Sequence, residues 1–385
     1  MVYSAQRTRL LFDTLQSCLS MFGDKWMSQR TMPSAGPLAE SPAGSDQTAA
    51  AGLNCLQTVP RQLVHRAAVA EVFLMDALQL DRDRFLVAAQ WPRDHALYCP
   101  DPAGLSDPLL FAETIRQSLV YLAHRFHGVA LTHRFVGREV EFHITDPEPL
   151  RVGRQPLAPV LEARWTWLAC RPPQRYEMRL EVELVIGGRP CGRGAMHVIC
   201  LDQRRYDVIR RRSGGRPESG LHPGDTFTRV ASAEVGRLRA KDSLLEQDET
   251  GGRWRMRPDP GHPILFDHPS DHIPMMVALE GFRQVGHVIA HQAPRGGSAG
   301  GRPDLRAGRE PAALATAWSL RAVRMECLAF GELDDPVMLE IEQDCPRTAP
   351  GQDRVLRIGA VQRARTIAVA TMTWRPDERS DSAAA

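Results

Sequence analysis

The feature that most constrains this chain is an internal repeat of domain size. From Asp107 it reads DPLLFAETIRQSLVYLAHRF, and from His272 it reads HIPMMVALEGFRQVGHVIAH. Each stretch has an early proline and then Glu-x-x-Arg-Gln: Glu113, Arg116 and Gln117 in the first, Glu280, Arg283 and Gln284 in the second. Similar approaches precede them, Trp91-Pro92-Arg93-Asp94-His95 and Arg257-Pro258-Asp259-Pro260-Gly261-His262. The repeated unit is far longer than the roughly 20–50 residues of solenoid repeats, so the pattern predicts duplication of a whole module. A length of 385 residues accommodates two such modules.

Each unit predicts one good helix. Asp107 suits a cap and Pro108 a first turn, and Ile115, Leu119, Leu122 and Phe126 recur at helical spacing. In the second unit Ser270 or Asp271 is the expected cap, with Leu279, Phe282, Gly286 and Ile289 on the apolar face. Strand patterns follow. Tyr176, Met178, Leu180, Val182 and Leu184 alternate with charged residues, Gly187-Gly188 turns the chain, and Cys191 to Leu201 returns. In the second unit Ala317 to Phe330, Val337 to Ile341 and Val355 to Trp374 are the expected strands. A helix followed by antiparallel strands, twice, predicts an α+β architecture with each helix packed on a curved sheet.

The expected organisation is an extension over 1–59, a first module over 60–211, a linker over 212–224, a second module over 225–376 and a polar tail over 377–385. The extension has a short amphipathic pattern at Leu11, Leu15, Cys18, Leu19 and Phe22, then an Ala/Ser/Pro/Gly-rich stretch expected to be disordered. A glycine- and arginine-rich stretch over 294–311 reads as a surface loop in the second module.

Composition narrows the classes. Only Lys25 and Lys241 are lysines, so 46 of the 48 basic residues are arginine, whose planar fork suits phosphate and carboxylate. The formal net charge of +2 does not call for a nucleic-acid partner, and no apolar run approaches a membrane span. The eight cysteines form no C-x-x-C pair. Leu10, Leu11 and Phe12 run straight into Asp13, so no secretory leader is read and a reducing cytoplasm is expected.

Glu280, Arg283 and His287 share a helix face, and Glu113 with Arg116 repeats the spacing. One such pair would be an ordinary surface ion pair; its recurrence among apolar residues points to function. Ahead of the second helix lies Phe266-Asp267-His268-Pro269-Ser270-Asp271-His272-Ile273-Pro274. A histidine there and a glutamate inside the helix can act as an acid/base pair, and the helix N–H groups can hold an oxyanion. His268 with His272, and His287 with His291, have metal-compatible spacing, but no H-E-x-x-H occurs and no metal is expected. Gly296 to Gly300 matches G-x-S-x-G without the strand and helix a nucleophile elbow needs. Arg210-Arg211-Arg212 reads as a solvated turn, and no helix-turn-helix is visible.

Phe266-Asp267-His268-Pro269 through Asp271-His272-Ile273-Pro274 to Glu280-x-x-Arg283-Gln284 resembles the A-factor synthase family of γ-butyrolactone biosynthesis. Val64-His65-Arg66, Trp91 to His95, Asp107-Pro108 through Gln117 and Phe135-Val136-Gly137-Arg138 support the resemblance. It covers about residues 60 to 375. The resemblance implies two fused hotdog modules, each a long helix wrapped by a curved antiparallel sheet. It further implies transfer of a β-ketoacyl group from acyl carrier protein to dihydroxyacetone phosphate, with no cofactor, by a monomer or homodimer. Carried over by motif, Glu113, Glu280 and Arg283 are the expected catalytic residues, with Arg116, His268 and Gln284 as substrate contacts. A glutamate would take the hydroxyl proton and an arginine would hold phosphate. The second motif also resembles hotdog dehydratases and thioesterases, although Met275 follows Pro274 where a dehydratase has glycine. A non-catalytic binder of acyl thioesters or lactones is the alternative of another class.

Overall fold

The computed structural model describes residues 52–213, 226–291, 318–345 and 352–376. In chain order the first half contains β1 (Leu74–Gln79), β2 (Arg84–Ala89), α1 (Leu109–Arg125), β3 (Arg134–Ile144), β4 (Pro159–Arg171), β5 (Arg175–Ile186) and β6 (Arg189–Leu201). Helix α2 (Gln203–Ser213) follows. The second half contains β7 (Phe227–Arg229), β8 (Leu245–Asp248), β9 (Trp254–Met256), α3 (Met275–His291), β10 (Trp318–Cys327), β11 (Val337–Cys345), β12 (Arg354–Gln362) and β13 (Arg365–Pro376). All of this lies within one compact unit spanning 47–385.

The thirteen strands form one antiparallel sheet in the order β1-β2-β4-β5-β6-β3-β10-β13-β12-β11-β9-β8-β7. Its two halves join where β3 pairs with β10, from Glu139↔Glu326 to His143↔Ala322. Reading outward from that junction, β3-β6-β5-β4-β2-β1 corresponds to β10-β13-β12-β11-β9-β8, with β7 added at one edge. Equivalent loops repeat too: Val59 N–H donates to the Leu74 carbonyl and Val230 N–H to that of Leu245.

The alternating residues of β5 behave as the pattern requires, with Tyr176, Met178, Leu180, Val182 and Leu184 buried beneath α1. Helices α1 and α3 are buried on nearly all sides, α1 against β6, β3, β5 and β1 and α3 against β13, β10, β12 and β8. That burial is why a carboxylate and an amide inside each helix need partners. No described helix is long and apolar enough to cross a membrane.

The structure corrects four local expectations. Strands precede each helix as well as follow it. Val355 to Trp374 is two strands, folded back at Arg363 and Ala364, which hold positive φ of 53° and 56° without glycine to announce the turn. Asp107 does cap α1, its Oδ1 accepting from Leu109 N–H at 2.8 Å, but α3 starts at Met275, beyond Ser270 and Asp271, whose side chains serve other partners. Arg210 to Arg212 form the last turn of α2 rather than a solvated turn. The described cysteines are free thiols, with Cys191 and Cys200 buried. The extension through residue 51, the linker from 214, the 294–311 loop with its G-x-S-x-G and the tail lie outside the described residues.

Candidate active site

Each half builds the same ionic cluster around its helix glutamate. In the first, Glu113 is fully buried and accepts from Arg116 Nε (2.9 Å) and Nη2 (2.8 Å), Arg66 Nε (3.1 Å) and Nη2 (2.5 Å), and Gln117 Nε2 (2.7 Å). Arg116 also donates to the Val64 carbonyl. Gln117 ties the helix to the strand edge, donating to the Glu71 carbonyl and accepting from Phe73 N–H. Burial alone would push the Glu113 carboxyl up; the charges and hydrogen bonds of Arg116 and Arg66 outweigh it and hold it at about 2.

The second half repeats the arrangement with a looser contact from Arg283, whose Nη2 lies 3.4 Å from Glu280. Glu280, also fully buried, accepts from Arg237 Nε (2.8 Å) and Nη2 (2.5 Å) and Gln284 Nε2 (2.7 Å), with Arg283 Nε at 3.2 Å. Arg283 donates to the Val235 carbonyl, and Gln284 spans the Asp242 carbonyl and Leu244 N–H. Burial again opposes the charge, and Arg237 and Arg283 bring the carboxyl to about 2. Behind each cluster a histidine accepts two loop amides at Nδ1, His95 from Leu97 and Tyr98 and His262 from Ile264 and Leu265.

The clusters part company at their open sides. Arg237 reaches across to the first half, donating to the Leu97 carbonyl (2.8 Å) and Asp107 Oδ2 (2.6 Å). Two arginines there face two carboxylates, and Arg237 is 3% exposed. At the repeat-equivalent position before α3 stands Pro274, which carries no charge, while Asp267 of the second half approaches Arg66 instead, its carboxylate accepting from Ala67 and Ala68 N–H. Two arginines therefore share one directly bonded carboxylate, with Asp267 acting on Arg66 only through its charge, and both line a cavity of about 170 Å³ at the seam of the halves. Among the described residues the Nη1 of Arg66 and of Arg116 has no partner. Val120, Phe135, Met196, Val198, Leu265 and Met276 supply its apolar wall.

Histidines ring this cavity. His65 holds a left-handed φ of 51°, which for a non-glycine residue costs roughly 1–3 kcal/mol. Its counterpart is Gly236, at φ 64°, and a Cβ there would lie 2.7 Å from His287 Cε1. One half thus carries the imidazole on its loop and the other on its helix. His124 Nδ1 lies 2.7 Å from the Val129 carbonyl, so it carries the proton, and its Nε2 accepts from His65 Nε2 at 2.9 Å. That leaves His65 Nδ1 unprotonated. Burial, then His124, then Arg116 lower His65 to about 3.

His272 has the geometry of an oriented base. Its Nδ1 donates to Asp271 Oδ1 at 2.8 Å, leaving Nε2 as a lone pair on a residue that lines the cavity. Tyr206 O–H (2.6 Å) and Arg210 Nε (3.1 Å) hold the Asp271 carboxylate, and Arg210 also bonds Glu332 twice. Burial lowers His272 below the ordinary histidine value, with Asp271 opposing it, so the ring is neutral at pH 7. His268, half exposed at the rim, is lowered by burial, then by Arg116 and Arg66, and its Nδ1 lies 3.7 Å from Asp267. Among the described residues no group of three or more His, Cys, Asp or Glu is arranged to hold a metal ion.

Of the residues singled out by sequence, Arg116 and His268 meet at the cavity, with Glu113 directly behind. Glu280, Arg283 and Gln284 meet each other in the closed cluster and do not line the cavity. Gln284, expected to contact substrate, is fully buried with its amide spent on Glu280, Asp242 and Leu244. Neither glutamate stands as a free base, since each is sealed from solvent and pinned by two guanidinium groups. Sequence reasoning did not assign Arg66, Arg237, Asp107, His65 and Asp271 to the site, and reached His272 only as one of two histidines ahead of the second helix. Carrying the repeat upstream supplies the first two, because Val64-His65-Arg66 matches Val235-Gly236-Arg237.

Fold and site together define an α+β protein of two helix-in-sheet halves with an ionic cluster in each. The family described as the A-factor biosynthesis hotdog domain (AfsA) matches residues 47–202 and 221–302. The chain belongs to that family, whose hotdog fold agrees with the helices packed on a large antiparallel sheet. It is similar to the 2-oxo-3-(phosphooxy)propyl 3-oxoalkanoate synthase of Streptomyces virginiae, 38% identical over 237 residues, covering 62% of this chain and 79% of that one. The Streptomyces griseus synthase is 32% identical over 232 residues, covering 60% and 75%. Among solved structures, the 12:0-ACP thioesterase of Umbellularia californica matches 76% of this chain and 94% of its own at 9% identity, TM-score 0.43. A tesB protein of Mycobacterium avium subs paratuberculosis matches 78% and 96% at 12% identity, TM-score 0.38.

Proposed function

We propose that this chain is an acyltransferase that moves a β-ketoacyl group from acyl carrier protein to the hydroxyl of dihydroxyacetone phosphate. The product is the ester for which its relatives are named. The observation that carries the reading is the arginine pair Arg66 and Arg116, bonded to one carboxylate and opening on a cavity with an apolar wall. In this reading the phosphate takes the free edges of Arg116 and Arg66. Glu113 is a positioning residue: it fixes both forks and lowers the cost of burying them.

His272 Nε2, oriented by Asp271, takes the proton of the attacking hydroxyl as oxygen bonds to the thioester carbon. The N–H groups of Met275 and Met276 open α3, where a helix leaves its first donors without intrahelical partners, and they face the developing oxyanion. The carbon–sulfur bond then breaks, and the proton returns from His272 to the departing thiolate. A cavity of about 170 Å³ suits a phosphorylated triose. A long acyl chain requires Met196, Met275 and Met276 to rearrange, which flexible thioethers permit. The chemistry needs no metal or redox cofactor. The chain is read as modules over 60–211 and 225–376, working in the cytoplasm as a monomer or homodimer.

The test is mass spectrometry of the protein incubated with a β-ketoacyl carrier-protein thioester, with and without dihydroxyacetone phosphate. A phosphorylated ester that requires both is the expected product. Free β-keto acid, an enoyl thioester, or binding without turnover replaces the reading with hydrolase, dehydratase or binding protein respectively.

A further inference from the structure

We propose that the outward face of α2 is the docking surface for the acidic carrier domain that brings the acyl thioester to the seam cavity. This rests on the acyltransferase reading and names how that site meets its donor. Helix α2 carries five arginines and one aspartate in eleven residues, a charge of 5 − 1 = +4. The whole chain is only +2, so everything else sums to 2 − 4 = −2. The chain's net positive charge is thus concentrated on one short helix.

That helix is fixed to the cavity rim by its inward face. Tyr206 bonds Asp271 and contacts His272 Nδ1 at 3.2 Å, Arg210 bonds Asp271 and Glu332, and Gln203 accepts from Arg134, next to the cavity residue Phe135. The opposite face holds Arg204, Val208, Arg211 and Arg212, at i, i+4, i+7 and i+8, all exposed. Among the described residues Arg204, Arg211 and Arg212 have no carboxylate partner. An eleven-residue helix crowding like charges on one stripe is poor on intrinsic grounds. An anionic partner laid against it removes that repulsion and steers encounter toward the cavity.

The chemistry favours a protein partner. Val208, 37% exposed, sits inside the arginine stripe and supplies an apolar contact that nucleic acid does not use. One valine is far short of the broad apolar face of a membrane-lying helix. Three arginines on a chain of net charge +2 are a small footprint for a duplex.

The experiment uses the full chain carrying Arg204→Glu, Arg211→Glu and Arg212→Glu together, and a milder triple to Gln should the first melt early. The same β-ketoacyl group is offered on holo carrier protein and on N-acetylcysteamine, and carrier binding is read separately by fluorescence anisotropy without the acceptor. Expected are an at least about tenfold rise in KM for the carrier-bound donor, a matching loss of carrier affinity and unchanged kcat/KM for the small thioester. Carrier affinity and KM that do not move overturn the proposal. So does equal loss toward both donors, which would mean that α2 acts by holding Asp271 and His272. Anionic phosphatidylglycerol vesicles or duplex DNA that lose binding while carrier affinity stays also overturn it. A wild-type chain that binds the carrier through α2 but turns over neither donor sustains the docking surface and removes the acyltransferase reading.

Discussion

The two ionic clusters share a scaffold of glutamate, two arginines, glutamine and a backing histidine, yet one lines the seam cavity and the other is bridged across the seam by Asp107. The difference lies in what the opposite half contributes. Asp107 bonds Arg237 from across the seam, whereas Asp267 reaches the first cluster through the Ala67 and Ala68 N–H groups and leaves the outer edges of Arg66 and Arg116 open to the cavity. A cluster whose arginine is bonded to carboxylates on both sides is an internal clamp; one with open guanidinium edges on a cavity suits an anion. The E-x-x-R-Q motif therefore encodes the scaffold in both halves, and the partner across the seam decides which arginine edges stay open to the cavity.

The sharpest way to break this comparison is to truncate the corresponding arginines. Arg116→Ala is expected to lower kcat/KM by about 10²–10³-fold with the fold intact, and His272→Gln by about 10²–10⁴-fold. Arg283→Ala should lower stability instead, with activity per folded molecule within about threefold of wild type. Steady-state kinetics paired with thermal melts separates the two; equal kinetic losses would erase the distinction.

Next in size are the carboxylates. Glu280→Ala leaves buried guanidinium groups short of a partner and should cost about 3–5 kcal/mol in denaturant unfolding while the folded fraction stays active. Acid titration tests the same burial. Glu113 and Glu280, held at about 2 against 4.5 for the free carboxyl, contribute stability present above pH 4.5 and lost as pH falls toward 2, about 3 kcal/mol each. His65 and His287, lowered to about 3 and about 2, act from higher pH: below 6.5 the unfolded chain takes up protons the folded chain refuses. Stability should thus begin to fall near pH 6.5, and His287→Gln should flatten that slope by about 1.4 kcal/mol per pH unit.

Asp107→Asn is expected to cost about 1–3 kcal/mol and to leave the outer edge of Arg237 without its charged partner. Inorganic phosphate should then raise the melting temperature of the variant more than that of wild type. The smallest effect belongs to the histidine exchange. His65→Gly with Val120→His moves the ring from loop to helix, as at Gly236 and His287, and relieves the left-handed strain, so stability should change by less than about 1 kcal/mol. A large loss would mean that the halves are less alike than their backbones.

The helix part of each cluster was legible because Glu, Arg and Gln at i, i+3 and i+4 sit on one rigid element, whose spacing survives in the sequence. Arg66 and Arg237 were missed because a loop supplies them, and loops keep no fixed distance to the helix they serve. The open state of one cluster was illegible for a stronger reason. Asp107 acts on Arg237, 130 residues away, and no local pattern reports a cross-seam bond. The β12–β13 fold-back escaped for lack of a glycine. The glutamates were read as bases because a carboxylate's chemical reach depends on burial, which the motif does not encode.

The single sheet running through β3 and β10 has one more consequence. In a pair of identical subunits every codon is expressed on both sides of the axis, so a change that improves one pocket alters its twin equally. Here each position is written once. Asp107 could arise opposite Pro274, and His65 opposite Gly236, without imposing the same residue on the other side. Continuous strand pairing keeps the two clusters in register while heredity treats them as separate characters.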